Sequence, residues 1–103
     1  MTQATTENQG SVLVAPERII AATRAEFRGA AIEFLESLAA GSQTLVIDMS
    51  QTVEIDASGL GILVLVQKRA KERGLSTHLR QTPERVRNLL KLTMLDFLFE
   101  LTD

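Results

Sequence analysis

The chain has 103 residues and a formal net charge of −2, which is room for one small domain and excludes a two-lobed enzyme with a cleft between lobes. Hydrophobic residues make up 45% and charged residues 23%, a composition that excludes intrinsic disorder; with four Phe and no Trp or Tyr, the core is aliphatic. The absence of Cys removes disulfides, thiol nucleophiles, thiolate zinc sites and iron–sulfur ligation, and suits a reducing cytoplasm.

A near-neutral charge and the lack of an aromatic stacking platform weigh against nucleic acid as a partner. The longest apolar run, Ile62 to Val66, is too short to span a bilayer, so direct membrane insertion is not expected. Residues 1–10 are polar, with neither a basic n-region nor an apolar h-region. They read as a flexible tail rather than a signal peptide, with the folded domain over 11–103.

In chain order, Ser11 to Ala15 is a short β-branched run closed by Pro16, and Arg18 to Ile20 is a possible second extended piece. Thr23-Arg24-Ala25-Glu26 has the form of a capping box, so a helix is expected to start there. Phe27, Ala30, Ala31, Phe34, Leu35 and Leu38 give it one apolar stripe, and Gly41 is the expected stop. Thr44 to Asp48 has too little polar alternation to wet one face, and reads as a buried central strand.

Ile62 to Val66 is ambiguous by periodicity, but the uninterrupted stretch from Leu60 to Arg73 with Gly74 just beyond it favours a helix, with Ser58 as its N-cap. Leu75 to Arg80 is extended. Thr82-Pro83 then opens a helix with a hydroxyl cap and Pro in first position, and Val86, Leu89 and Leu90 form its inner face. Thr93 to Asp103 is a turn followed by a last strand or helix. Strands alternating with helices imply an α/β sandwich with right-handed crossovers.

Little in this pattern carries catalysis. The single His78 lies in an apparent strand without an acidic sequence neighbour, and reads as a partly exposed strand residue. Glu54 and Asp56 could face one way as a carboxylate pair, but solvation and shaping of the turn into the next helix are their simpler roles. Neither a Walker-type phosphate loop nor a dinucleotide fingerprint occurs, and no metal or cofactor is implied.

The unusual feature is Ser58, set between Asp56-Ala57 and Gly59-Leu60-Gly61 at a helix start. Two glycines there cost about 1 kcal/mol each relative to alanine, so something other than helix stability favours them. One account is close packing of a neighbouring strand or loop; the other is access of another protein's active site to Ser58.

Val46-Ile47-Asp48-Met49-Ser50 followed by Val53-Glu54-Ile55-Asp56-Ala57-Ser58-Gly59-Leu60-Gly61 resembles the signature of the STAS domain, shared by anti-sigma factor antagonists and the cytoplasmic tails of sulfate transporters. The resemblance extends over about residues 11–103 and includes the late Pro-x-x-Val-x-x-Leu-Leu segment at Pro83 to Leu90. It implies a STAS-like sandwich with a mixed, mostly parallel sheet of four to five strands. It also implies that Ser58 is the phosphate acceptor of a partner serine kinase.

Two departures are visible. Antagonists often carry Asp-Ser-Ser-Gly, whereas Ala57 leaves Ser58 as the only hydroxyl of the turn; and the N-terminal strand region is short, Val12 to Val14 lying only nine residues before Thr23. Charge is also uneven, since residues 68–91 hold eight of the eleven Lys and Arg, either as solvated helix faces or as a docking surface for an acidic partner.

The expected function is therefore a non-enzymatic, cytoplasmic, phosphorylation-controlled switch. Asp56, Ala57, Ser58, Gly59, Leu60 and Gly61 form its contact surface, an anti-sigma factor or serine kinase is its partner, and a phosphatase resets it. The rival readings are a structural subunit of an ABC-type lipid-transport complex and a nucleotide-binding module.

Overall fold

The computed structural model describes residues 12–103, so the tail expected over 1–10 lies outside the described residues. The elements run β1 (Val12–Val14), β2 (Arg18–Ile19), α1 (Arg24–Ser37), β3 (Thr44–Asp48), β4 (Glu54–Ile55), α2 (Ala57–Glu72), β5 (Ser76–Arg80), α3 (Glu84–Leu92), a 3-10 turn (Asp96–Leu98) and β6 (Glu100–Thr102).

β1, β3, β5 and β6 form one sheet in that order, and every described pairing is parallel. The register sets Val14 beside Asp48, Asp48 beside Arg80 and Arg80 beside Thr102, which aligns the C-terminal ends of all four strands. Parallel neighbours need crossovers, and the helices supply them. β2 and β4 make a separate two-stranded parallel ladder, Arg18 with Glu54 and Ile19 with Ile55. This is the α/β class that the strand–helix alternation implied, with the mostly parallel sheet that the STAS resemblance implied.

α1 packs on α2, and α2 lies against β5. The core joins Leu45 and Ile47 of β3, Leu63 and Val66 of α2, Leu79 of β5 and Leu90 of α3, all without solvent exposure. Burying each such side chain contributes about 1.5–3 kcal/mol. Ile62 to Val66 is helical, as the length argument required. The helix stops as expected: Gly74 takes φ +79°, its N–H bonds to the Lys71 carbonyl (2.9 Å), and Leu75 N–H reaches back to that of Ala70 (2.9 Å).

Several local expectations are corrected. α1 starts where expected, with Thr23 in the N-cap position, but no capping box forms: the Thr23 hydroxyl donates to the Arg18 carbonyl (2.8 Å) and accepts from Ile20 N–H (3.1 Å), so it ties the loop after β2 to itself. α1 ends at Ser37, with Leu38 already extended. Gly41, at φ +93°, serves a later turn in which Ser42 N–H bonds to the Ala39 carbonyl (3.1 Å).

β3 does alternate. Leu45 and Ile47 face the helices, while Val46, expected to be buried, is only half-buried. Periodicity misleads here because Val is apolar on both faces of a strand. At α3 the cap position is Pro83, not Thr82, whose hydroxyl is buried without a partner among the described residues.

His78 is half-buried, its Nε2 3.3 Å from Ser76 Oγ, and the register sets Glu100 of β6 directly across from it. The acidic neighbour missing from the sequence thus comes from the adjacent strand.

Candidate partner-binding site

The first turn of α2 is built by what precedes it. Thr52, almost fully buried, donates its hydroxyl to the Pro16 carbonyl (2.8 Å), while Val53 and Glu54 donate their N–H groups to the Glu17 carbonyl (2.8 and 3.2 Å). These bonds fasten β4 to β2. Arg18 Nε pairs with Glu54 Oε1 at 3.0 Å on the exposed side of that ladder.

Asp56 is the residue that starts the helix. Its Oδ1 accepts the Gly59 N–H (2.9 Å), its Oδ2 accepts the Ala21 N–H (3.1 Å), and its carbonyl accepts the first intrahelical bond, from Leu60 N–H (2.9 Å). Ser58 is therefore the second residue of the helix and not its N-cap, a correction to the sequence reading. Asp is among the strongest N-cap residues, and that signal was legible at Asp56. With Glu54 paired to Arg18 and Asp56 capping α2, the two carboxylates do not act as a pair.

The Gly59 amide, first of all, holds the Asp56 carboxyl below its ordinary range; slight desolvation opposes this, and the Ala21 and Ser58 amides reinforce the lowering. At the end of β3, burial of Asp48 is the largest single influence and acts to raise its pKa. Hydrogen bonds from Ser50 and Arg80, whose Nη2 is 3.2 Å from Asp48 Oδ2, together outweigh it and leave the carboxyl lowered.

The two glycines separate the two accounts of the turn. A Cβ on Gly59 would overlap the Ile19 carbonyl oxygen and crowd Ile55, so this glycine is required by close packing. A Cβ on Gly61 meets nothing within 4 Å, so packing does not explain that one.

Around them, Ala57 and Gly61 are exposed, Asp56 and Ser58 are half-buried, and Gly59 and Leu60 are buried. The six residues named for the site therefore divide. Ala57, Ser58 and Gly61 present a surface, while Asp56, Gly59 and Leu60 hold it in place. No hydrogen bond ties down the Ser58 hydroxyl among the described residues.

No group of three or more metal-ligating side chains converges among the described residues, and no helix is long and apolar enough to cross a membrane. The chain is thus a small parallel α/β domain with a half-exposed hydroxyl in the first turn of α2.

The chain belongs to the STAS domain family: the family model described as "Mlab, STAS domain" matches residues 2–100. A crystal structure of a candidate anti-sigma factor antagonist from Thermotoga maritima superposes with a TM-score of 0.78 at 22% identity, covering 94% of this chain and 83% of that one. A sulfate transporter family protein from Wolinella succinogenes superposes with a TM-score of 0.68 at 17% identity, covering 91% of this chain and 78% of that one. These likenesses establish a common fold.

Proposed function

We propose that this protein is an anti-sigma factor antagonist-like regulator of a bacterial cytoplasm, acting by binding rather than catalysis, with Ser58 as its phosphorylation switch. The observation that carries the reading is the half-exposed hydroxyl of Ser58, without a hydrogen bond among the described residues, on a helical turn immobilised by Asp56 and Gly59. The partner is an anti-sigma factor that is also a serine kinase, and a phosphatase restores the unmodified form. The fold shared with the Thermotoga protein supports the assignment.

A phosphate on Ser58 brings about 1.5–2 negative charges to a helix N-terminus. The dipole favours it there, while the adjacent Asp56 carboxylate already occupies the Gly59 amide of the turn and adds a negative charge beside it. The added charge is consequently directed outward, into the interface. Binding changes while the fold persists.

The nucleotide-binding rival is weakened because Gly59 N–H and Leu60 N–H, two of the amides at this helix start, are already spent within the chain. A second reading is kept because the matched family model is described as Mlab and not as an antagonist. In it the same turn contacts the ATPase of an ABC-type lipid-transport complex and Ser58 is never modified.

Incubating wild type and Ser58→Ala with the candidate kinase and ATP, then locating phosphate by mass spectrometry, separates the two. Phosphate on Ser58 alone supports the switch. Phosphate on Ser50 or Thr52, or none together with co-purification of an ATPase, promotes the structural-subunit reading.

A further inference from the structure

α1 and α2 pack side by side and run in the same direction, because each leads from the end of one strand of the parallel sheet back to the start of the next. Their starts are level. The Asp56 carboxylate that caps α2 accepts the Ala21 N–H (3.1 Å), and Arg24, the first residue of α1, follows three positions later.

Which flanks of the two helices meet follows from what their other flanks border. Glu26 and Ala30 of α1 line a recess with Val14 and Pro16 at the β1 edge, and no residue of α2 borders it. Gln67 and Lys71 of α2 line a groove with Thr77 of β5 and Phe97 of the 3-10 turn, and no residue of α1 borders that one. The flanks left to meet along the seam carry Arg24, Arg28 and Ile32 on α1 and Ser58, Ile62 and Leu65 on α2, each set at the three- and four-residue spacing of one helical stripe.

Burial agrees with this placement. Ile32 and Leu65 stand off the buried stripes of their own helices yet are half-buried, whereas Ala25, Gly29, Gly61 and Lys68 on the outer surface are exposed. The neighbouring helix is what covers them. Leu65 is seven residues beyond Ser58, and Ile32 is eight beyond Arg24, so this apolar cover lies about two turns along a seam whose mouth is formed by Ser58, Arg24 and Arg28.

The mouth holds cations without a matching anion. Neither Arg24 nor Arg28 has an ion pair among the described residues, and no acidic residue lies three or four positions from either along α1. Like charges four residues apart work against a helix, so helix stability does not favour the pair. Glu26 stands on the recess flank, and the Asp56 oxygens are engaged by the Gly59 and Ala21 amides.

We propose that Arg24 and Arg28 receive a phosphate on Ser58, closing over it across the mouth of the seam, so that modification remodels the face of α1 as well as that of α2. The inference rests on the reading of Ser58 as a phosphate acceptor. Guanidinium and phosphate form charge-assisted, bidentate hydrogen bonds. Helical side chains lean toward the N-terminus, which brings Arg28 back to the level of Ser58, and helices packed about 8–10 Å apart leave a seam that an extended arginine can cross. What a partner meets is then a bulky phosphate held by two arginines in place of a small hydroxyl.

The test installs phosphoserine at position 58 during translation, through a reassigned stop codon, so it depends on no kinase. Phosphorus NMR reads the second pKa of the phosphate in the otherwise wild-type chain, in Arg24→Gln/Arg28→Gln, and in Lys68→Gln/Lys71→Gln, which removes equal charge from the far part of α2. All four positions are exposed and Gln is a good helix former, so the variants fold, as circular dichroism checks. The arginines favour the dianion while Asp56 opposes it in all three proteins. Replacing them is expected to raise the pKa by about half a unit or more, with the lysine variant titrating as wild type.

An arginine variant that titrates as wild type overturns the proposal. So does a lysine variant that shifts as far as the arginine one, which signals the general field of the protein and not a contact. The kinase assay on Ser58 is read separately: it decides whether the switch operates, and the titration decides what receives the phosphate.

Discussion

The α-carbon of Gly59 faces the carbonyl oxygen of Ile19 with no room for a methyl group between them. The contact clamps the first turn of α2 onto the β2–β4 ladder, and with the two hydrogen bonds of Asp56 it sets the height at which Ser58 stands.

Gly59→Ala is therefore expected to destabilise the domain by about 1–3 kcal/mol or more, because the backbone of β2 must move to admit the new carbon. Gly61→Ala, in open space on the same helix, is expected to stabilise it by up to about 1 kcal/mol. Urea denaturation of the two variants measures the contrast. Equal effects would show that Gly59 is not clamped.

Asp56 and Asp48 both have carboxyls lowered from their ordinary value of 3.8. A group whose pKa is depressed in the folded state contributes stability that is fully present above its unfolded pKa and is lost as pH falls through the folded one. Stability is thus expected to be flat well above pH 3.8 with respect to these groups and to decline below it. Asp56→Asn keeps an acceptor at the cap but carries no charge, so its decline is expected to be shallower. Chemical denaturation at stepped pH tests this; an unchanged acid limb would exclude Asp56 as a contributor.

Leu63, on the inner face of α2, is fully buried. Leu63→Ala is expected to cost about 2–5 kcal/mol, out of the roughly 5–15 kcal/mol by which such domains are stable. Thermal or urea unfolding reads it directly, and a loss below about 1 kcal/mol would mean that the site collapses to fill the cavity or was never packed.

Ser58→Asp is expected to fold normally, because an acidic group in the first turn of a helix is worth about 0.3–1 kcal/mol in its favour. Its binding to the kinase partner is expected to fall at least tenfold, which corresponds to about 1.4 kcal/mol, since an unpaired carboxylate is costly to bury. Ser58→Ala is expected to bind and to resist phosphorylation. Calorimetric titration of the three proteins decides the matter, and equal affinity of the Asp variant would remove Ser58 from the switch.

By itself, the sequence determined the alternation of strand and helix, the helical state of Ile62 to Val66, the stop at Gly74 and the motif from Asp56 to Gly61. These depend on the order of side chains over a few residues: hydrophobic spacing, a glycine free to take positive φ, and a pattern shared by a family. Only the tertiary structure decided the rest.

Thr23 could have capped α1 by its local pattern, but the Arg18 carbonyl and Ile20 amide, brought close by the loop, took its hydroxyl instead. Gly59 and Gly61 look alike in the chain, and only the approach of Ile19 from another strand makes one indispensable and leaves the other free. Glu100 reaches the vicinity of His78, and Glu54 reaches Arg18, through strand pairing across more than twenty residues of chain. A hydrogen-bond donor or a vacant volume can be claimed by any group that folding brings near. Local sequence names the candidates, and the packed structure chooses among them.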